Sequence, residues 1–351
     1  MQEYTVIVVG SGPGGSACAK ALKEEGVDVL VIEKFNLPRH KTCSGILYGQ
    51  TQVLLKNCFG VLPPKEVYCK PEIINASDIL EWRKDGGFSN YVWELPKDGE
   101  AFSQEYQNIW RSKFDYWLLK ESGADYKDNC RFQNYTSEGD KIKVEVSSPD
   151  GGKEEFLCSY LVGADGSTSR VRALLAPDGD EQSKECVAYY GYYRFADAGD
   201  LKDHHWYVFL EPELGDIIAC VHQKDDTLAL SVGGFKGCDL KGYVKNFKEF
   251  LSGNFKVVLK DVVREEGCVL KLAPPYFGRD NVFLVGDAAG LMYLNGEGIS
   301  AAIDSGYRAG GTIAGGIKEG NDLVASYTEN MADIMKHMQL CMENMHFVVP
   351  K

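Results

Sequence analysis

Gly10, Gly12 and Gly15 stand in G-x-G-x-x-G spacing within Gly10-Ser11-Gly12-Pro13-Gly14-Gly15, and Glu33 ends the next apolar run. This is the chemistry of a dinucleotide cradle. The first glycine permits a tight turn, the second lets a pyrophosphate approach the backbone, and the third lets a helix sit against a strand. Pro13 and Gly14 complete the turn. The free N–H groups of the following helix face the phosphate charge, while Glu33, with Lys34 beside it, can accept hydrogen bonds from an adenosine ribose. The elements that position these groups follow from local pattern. Tyr4–Val9 is a β-branched run fit for a buried parallel strand, Ser16–Glu25 a helix with small Ala17, Cys18 and Ala21 on its packing side, and Asp28–Ile32 a second strand. Strand, turn, helix, strand and acid together specify a dinucleotide, without separating NAD from FAD.

The whole chain sets outer limits. Its 351 residues suit about two domains, and 44% hydrophobic with 25% charged residues suits a globular fold. A net charge of −13 argues against binding nucleic-acid backbones and anionic membranes. The 11 cysteines are odd in number and show no zinc spacing, so reduced thiols, a cytoplasmic compartment and no metal are expected. Met1-Gln2-Glu3 offers no basic leader, and no apolar run is long enough for a membrane helix, so membrane contact is expected to be peripheral at most.

Two later motifs narrow the nucleotide. Phe156–Val162 reads as a strand entering Gly163-Ala164-Asp165-Gly166, and Asn281–Val285 as a strand entering Gly286-Asp287-Ala288-Ala289-Gly290. In this order behind the glycine fingerprint they resemble the FAD-binding domain of the glutathione-reductase-like superfamily, in the branch built like para-hydroxybenzoate hydroxylase. The resemblance implies that Asp165 and Gly166 lie near the pyrophosphate and that Asp287, after Gly286, binds the ribityl chain. Arg111-Ser112-Lys113-Phe114-Asp115 resembles the R-x-x-F-D helix start of the same branch, which implies Arg111 beside the flavin or its phosphates. Cys130–Val146 suits the antiparallel ribbon of that branch, whose start, at Cys130, implies an adenine contact.

The stretch Gly296-Glu297-Gly298-Ile299 and the small-residue helix Gly298–Ile317 are similar to the geranylgeranyl reductase family, although Tyr293-Leu294-Asn295 stands where that family often has a proline. Gly296 and Gly298 let the backbone pass under the isoalloxazine, and the helix start at Ile299 is expected to aim N–H groups at the flavin edge. Pro38-Arg39-His40-Lys41-Thr42-Cys43-Ser44-Gly45 resembles the family's loop over the flavin. That resemblance places Cys43, Ser44 and Gly45 at the cofactor, with Cys43 or His40 as the proton source. For Cys43 a buried structural thiol is an equal alternative.

The expected architecture is α/β: a Rossmann-like FAD-binding domain of residues 1–74, 105–180 and 271–320, an inserted antiparallel-sheet substrate domain of 75–104 and 181–270, and a helical tail of 321–351. Val187–Phe195, Trp206–Leu210, Ile217–Gln223 and Thr227–Gly233 read as its strands, with aromatics at Tyr189, Tyr190, Tyr192, Tyr193, Trp206, Tyr207 and Phe209. Only loose versions of the family's Y-x-W-x-F-P element are present, at His205–Pro212 and Tyr91–Pro96. The Met-rich stretch Met331–Phe347 is spaced for an amphipathic helix. Without a second dinucleotide fingerprint, NAD(P)H or a reduced protein is expected to act as a transient electron donor. Three functions are open: reduction of a C=C bond in an apolar, isoprenoid-type substrate, monooxygenation of an aromatic or polyketide, and flavin-only electron transfer to a quinone. Halogenation is disfavoured by the absence of W-x-W-x-I-P.

Overall fold

A computed structural model describes all residues except 84–86, 91–93, 98–100, 178–182, 294–295, 318–321 and 345–351. The fragment Tyr91–Trp93, Leu294, Asn295 and Met345 therefore lie outside the described residues.

The chain is α/β with a Rossmann-like core. The strand Gln2–Val9 pairs in parallel with Val29–Ile32 on one side and Lys153–Gly163 on the other. Asp125–Lys127 and Val282–Leu284 extend the parallel set outward. Val6, Ile7, Val8, Leu161, Val162 and Phe283 are wholly buried, as expected of parallel strands covered on both faces. The ribbon Arg131–Glu138 and Lys141–Ser147 folds antiparallel onto Lys153–Gly163. Helix Pro13–Glu24 packs on the helix Ile299–Gly316 at short range. A Cβ on Gly306 would stand 2.1 Å from the Gly14 carbonyl oxygen, and one on Gly310 would stand 2.4 Å from that of Cys18. Any larger side chain there would push the two helices apart.

A second sheet runs in the order Val258–Leu272, Lys184–Asp197, Thr227–Phe235, Ile218–Lys224, Trp206–Phe209, Ile79–Arg83 and Gly87–Asn90. Its two faces differ in role. Tyr189 and Tyr193 point with Tyr207, Phe209 and Trp82 toward the amphipathic helix Leu240–Phe255, where Phe247, Leu251 and Phe255 close a core. Gly191 lies between Tyr189 and Tyr193, and a Cβ there would collide with both rings. Tyr190 and Tyr192, one residue out of phase, face the other way, as strand alternation requires. The edge strand Val258–Leu272 is exposed over much of its length and interleaves valines with charged Lys260, Asp261, Arg264, Glu265 and Glu266, charges that discourage edge pairing.

A small sheet of Ile46–Leu47, Glu105–Ile109 and Tyr68–Asn75 joins the two large ones. The tail forms two helices, Leu323–Asn330 and Ala332–Glu343. Met331, Ile334 and Met338 are buried against the first core, whereas Met335 is only partly covered and Met342 is exposed. The Tyr327 hydroxyl donates to the Leu284 and Ser305 carbonyls, both at 3.2 Å, pinning the tail to the last parallel strand. No helix among the described residues is long and apolar enough to cross a membrane.

Candidate functional site

A cavity of about 430 Å3 opens at the C-terminal ends of the parallel strands and runs from Glu33, Lys34 and Cys130 at one end to Asp287, Met292 and Ile299 at the other. The three fingerprint glycines divide their tasks as their spacing requires. A Cβ on Gly10 would meet the Ala164 carbonyl at 2.4 Å, and one on Gly15 would meet the Gly10 carbonyl at 1.9 Å, so these two serve the turn and the helix–strand contact. Gly12 is the open position: its Cβ would point to space with only Arg39 Nη2 at 3.8 Å. Gly10, Gly12, Pro13 and Gly14 line the cavity, and Gly15 lies behind them.

Glu33 is buried at the end of its strand. Its Oε2 accepts from Ser11 Oγ at 2.7 Å and Arg39 Nε at 3.1 Å, and its Oε1 accepts from the Phe35 N–H at 3.1 Å, which leaves Oε1 capacity for one more donor. Arg39 continues to Asp115 at 2.8 Å, and Arg111 grips Asp115 with Nε at 2.7 Å and Nη2 at 3.0 Å. Two cations and two anions thus alternate under the cavity floor. Burial pushes the Glu33 and Asp115 carboxyls up, but Arg39 with the Ser11 and Phe35 bonds at Glu33, and Arg111 with Arg39 at Asp115, more than offset it, so both end below the ordinary carboxylate range. Arg111 is therefore both an ion-pair partner within its own helix and a cavity wall, with the Cys43 thiol in hydrogen-bond contact.

Asp165 and Gly166 line the same cavity as the glycine cradle, and the Asp165 carboxyl is bonded within its own turn. Its Oδ1 accepts from Ser169 Oγ at 2.5 Å and its Oδ2 from the Arg170 and Val171 N–H groups at 2.6 and 3.2 Å. The carboxyl holds the turn into the short helix Arg170–Leu175, and Gly166, at φ +86°, shows its bare backbone beside it. Ser44 and Gly45 do not line the cavity. Gly45 is pressed onto the Ile109 carbonyl, 2.3 Å from where its Cβ would be, and Ser44 gives its carbonyl to Lys224. Lys224, wholly buried, donates to Ser44 O at 2.9 Å, Asn108 Oδ1 at 2.7 Å and Ile109 O at 2.8 Å. All three ammonium protons are used, and they fasten the Cys43 loop to the second sheet. Nothing local marks Lys224, which sits next to Asp225-Asp226 like an ordinary turn lysine.

His40 lines the cavity, but its Nε2 is held by Glu266 Oε1 at 2.5 Å and its ring stands edge-on to Tyr192. Burial pushes its pKa below the ordinary value, with Glu266 pulling the other way. Cys43 and Tyr190 face the cavity from opposite elements, and the Tyr190 hydroxyl forms no hydrogen bond among the described residues.

At the far end Asp287 shows its carboxylate to the cavity with no side-chain hydrogen bond among the described residues, while Gly298 leaves room for it: a Cβ there would come within 3.0 Å of Oδ1. The start of helix Ile299–Gly316 is not bare. Glu297 Oε1 accepts the Ser300 N–H at 2.8 Å and the carboxyl also takes the Ile299 N–H, so the helix's first N–H groups are capped by this chain rather than left for a ligand. Glu297 Oε2 is buried without a partner. Burial pushes the Glu297 carboxyl up to about 7, its N–H bonds opposing and Asp287 adding. Glu94 caps a second helix, Gly49–Phe59, accepting from Gln50 N–H at 2.6 Å and Gly49 N–H at 3.1 Å. Burial, with the Glu297 charge as a further cause, raises Glu94 to about 7 as well.

The residues fit a bound FAD on two counts: the only cradle position open toward the cavity is the glycine that should face a pyrophosphate, and a shielded, unpaired carboxylate stands where a polyhydroxyl chain would meet it. Gly12 sits at φ −77°, ψ −176°, extended backbone that valine tolerates. Gly12→Val is therefore expected to fold but to purify with at least tenfold less flavin absorbance per protein, while the melting temperature of the flavin-free protein stays within a few degrees of the parent's.

Residues 8–38 match the model of an NAD(P)-binding Rossmann-like domain, and residues 105–208 that of an FAD binding domain. An uncharacterized protein of Methanosarcina barkeri is 27% identical over 91% of this chain and 77% of its own length. The protein CbrA of Shigella dysenteriae is 28% identical over 87% of this chain and 82% of its own. Among solved structures, a geranylgeranyl bacteriochlorophyll reductase-like protein of Thermoplasma acidophilum superposes with a TM-score of 0.78 at 19% identity, covering 98% of this chain and 86% of that one. The flavin-dependent halogenase CmlS gives 0.73 at 19% identity, covering 97% of this chain and 63% of its own. Aklavinone-11 hydroxylase, solved with FAD and aklavinone, gives 0.67 at 19% identity, covering 91% of this chain and 63% of its own. One fold thus carries several flavin chemistries.

Proposed function

We propose that this chain, an FAD-dependent oxidoreductase, reduces a C=C bond of an apolar, isoprenoid-type substrate. The observation that carries this reading is the cavity's lining, which brings Cys43, Tyr190, Cys268, Leu270, Met292 and Ile299 into one chamber with the charged Lys41, Arg111 and Asp287. FAD, when bound, supplies two-electron hydride transfer. The chain's own residues do the rest. Gly12 and the helix that follows it would hold the pyrophosphate and Asp287 the ribityl hydroxyls, while Arg111 with Asp115 fixes the wall behind Cys43. Cys43 and Tyr190 each present a proton-bearing group to the chamber, whereas the His40 Nε2 is engaged by Glu266 and serves to hold the loop against the second sheet. Lys224 keeps that loop in place, and the sheet face carrying Tyr190 and Tyr192 excludes water. NAD(P)H or a reduced protein donates electrons in a passing encounter.

The experiment is anaerobic. Flavin reduced chemically in the purified protein is expected to reoxidise when a prenyl alkene is added, with the saturated product recovered in equal amount. Failure of every alkene in a panel of chain lengths, with rapid reoxidation by quinone instead, would remove the reading. The hydroxylase and halogenase neighbours favour a second reading, monooxygenation. Substrate-stimulated NAD(P)H consumption in air, with labelled oxygen entering an aromatic product, would select it.

A further inference from the structure

The parallel pairing of Trp206–Phe209 with Ile79–Arg83 sets Trp206 opposite Ile79. The residues just before these strands, His205 and Asp78, are thereby brought together although far apart in sequence. His205 Nε2 lies 3.5 Å from Asp78 Oδ1. The ring of His204 stands 4.3 Å from that of His205, and one donor atom from each of Asp78, His204 and His205 falls within 4.8 Å of the others. We propose that Asp78, His204 and His205 form a site for a divalent transition-metal ion, zinc by preference, at the edge of the second sheet.

The chemistry of the donor set supports this. Metal–nitrogen and metal–oxygen bonds of about 2.0–2.2 Å in a tetrahedron put neighbouring ligand atoms roughly 3.3–3.5 Å apart, and the Asp78–His205 pair already has that edge. His204 is half-exposed, so its ring can turn to complete the triangle. Asp203 Oδ1 holds His204 Nδ1 at 2.9 Å, which leaves the Nε2 lone pair outward, the usual carboxylate–histidine–metal arrangement. His205 is buried and stacked on Tyr207 at 5.7 Å and 22°, so its ring is fixed before any ion arrives. Its Nδ1 is a buried polar atom without a hydrogen bond among the described residues. Two imidazoles and one carboxylate favour zinc, cobalt or nickel over magnesium or calcium, and solvent completes the coordination. None of the three residues borders the flavin cavity, so the site is independent of the redox reading. Its effect is mechanical: the ion would tie the excursion that carries Ile79–Arg83 and Gly87–Asn90 to the strand Trp206–Phe209.

The test uses the full FAD-loaded chain, freed of metal with a chelator and titrated with Co2+, then with Zn2+ in competition. Eleven free cysteines could also take up metal, so the spectrum is the discriminating readout. The expected result is one equivalent of Co2+ with visible d–d bands, no intense near-ultraviolet thiolate band, and displacement by Zn2+. His204→Gln and Asp78→Asn, both on partly exposed side chains, should each weaken binding at least tenfold without lowering the metal-free melting temperature. A thiolate-dominated spectrum, or affinities unchanged in both variants, would overturn the site.

Discussion

Lys224→Met is expected to lower stability by about 3 kcal/mol and to expose Cys43 to thiol reagents at least tenfold faster. The methionine fills much the same volume, so packing is nearly conserved. What is lost is the donor: the Ile109 carbonyl and the Asn108 side-chain oxygen lose a buried partner, each at about 1–3 kcal/mol, while the Ser44 carbonyl keeps the bond from His222. Relief from burying an ammonium, which holds the Lys224 pKa below its ordinary value, returns part of this. Chemical denaturation gives the stability change, and labelling kinetics in native buffer give the local one. Normal stability with normal Cys43 protection would mean that the lysine does not fasten the loop.

Glu297→Gln is expected to stabilise the protein by about 3 kcal/mol at pH 8 and by almost nothing at pH 4. The carboxyl keeps its proton in the folded state until about pH 7, whereas an unfolded glutamate gives it up near 4.5. Below 4.5 both states are protonated and the group is neutral to stability. As pH rises from 4.5 to 7 the unfolded chain binds fewer protons than the folded one, and stability falls by about 1.4 kcal/mol per pH unit before levelling off. Glutamine keeps the oxygen that accepts the Ser300 N–H and removes the charge, so the loss disappears. Melting temperature against pH in both proteins measures this, and parallel curves would refute it. Glu94 shares the same burial and senses the Glu297 charge, so the double variant with Glu94→Gln should gain less than the sum of the single changes.

The sequence is most readable where the chemistry is local. The strand–turn–helix at Tyr4–Glu25 needs only neighbouring residues, and the fingerprint states which glycine faces which way. Four strands of the second sheet are likewise legible from β-branched and aromatic runs, although Lys184–Asp197 runs on into polar residues at both ends, whereas Ile79–Arg83, Gly87–Asn90 and Val258–Leu272 are not. Legibility ends where meaning depends on a distant partner. Lys224 resembles a surface lysine until Ser44 and Ile109 arrive around it. Glu94 looks like part of an aromatic element, yet its carboxyl caps a helix that begins far earlier in the chain. Asp78 and His205 meet through strand register alone. Glu297 lies in plain view between two glycines, but nothing in that spacing says that its carboxyl will occupy the helix end expected to serve the flavin.

The cavity draws its walls from Gly10 at one extreme of the chain and Ala302 near the other. During synthesis the glycine cradle emerges early and waits, with its strand unpaired on one side until Lys153–Gly163 leaves the ribosome. The cavity's last walls appear only when Asp287, Ile299 and Ala302 have followed. A complete pocket therefore exists only after translation has passed Ala302, and products terminated before it are expected to emerge colourless and be cleared by proteases.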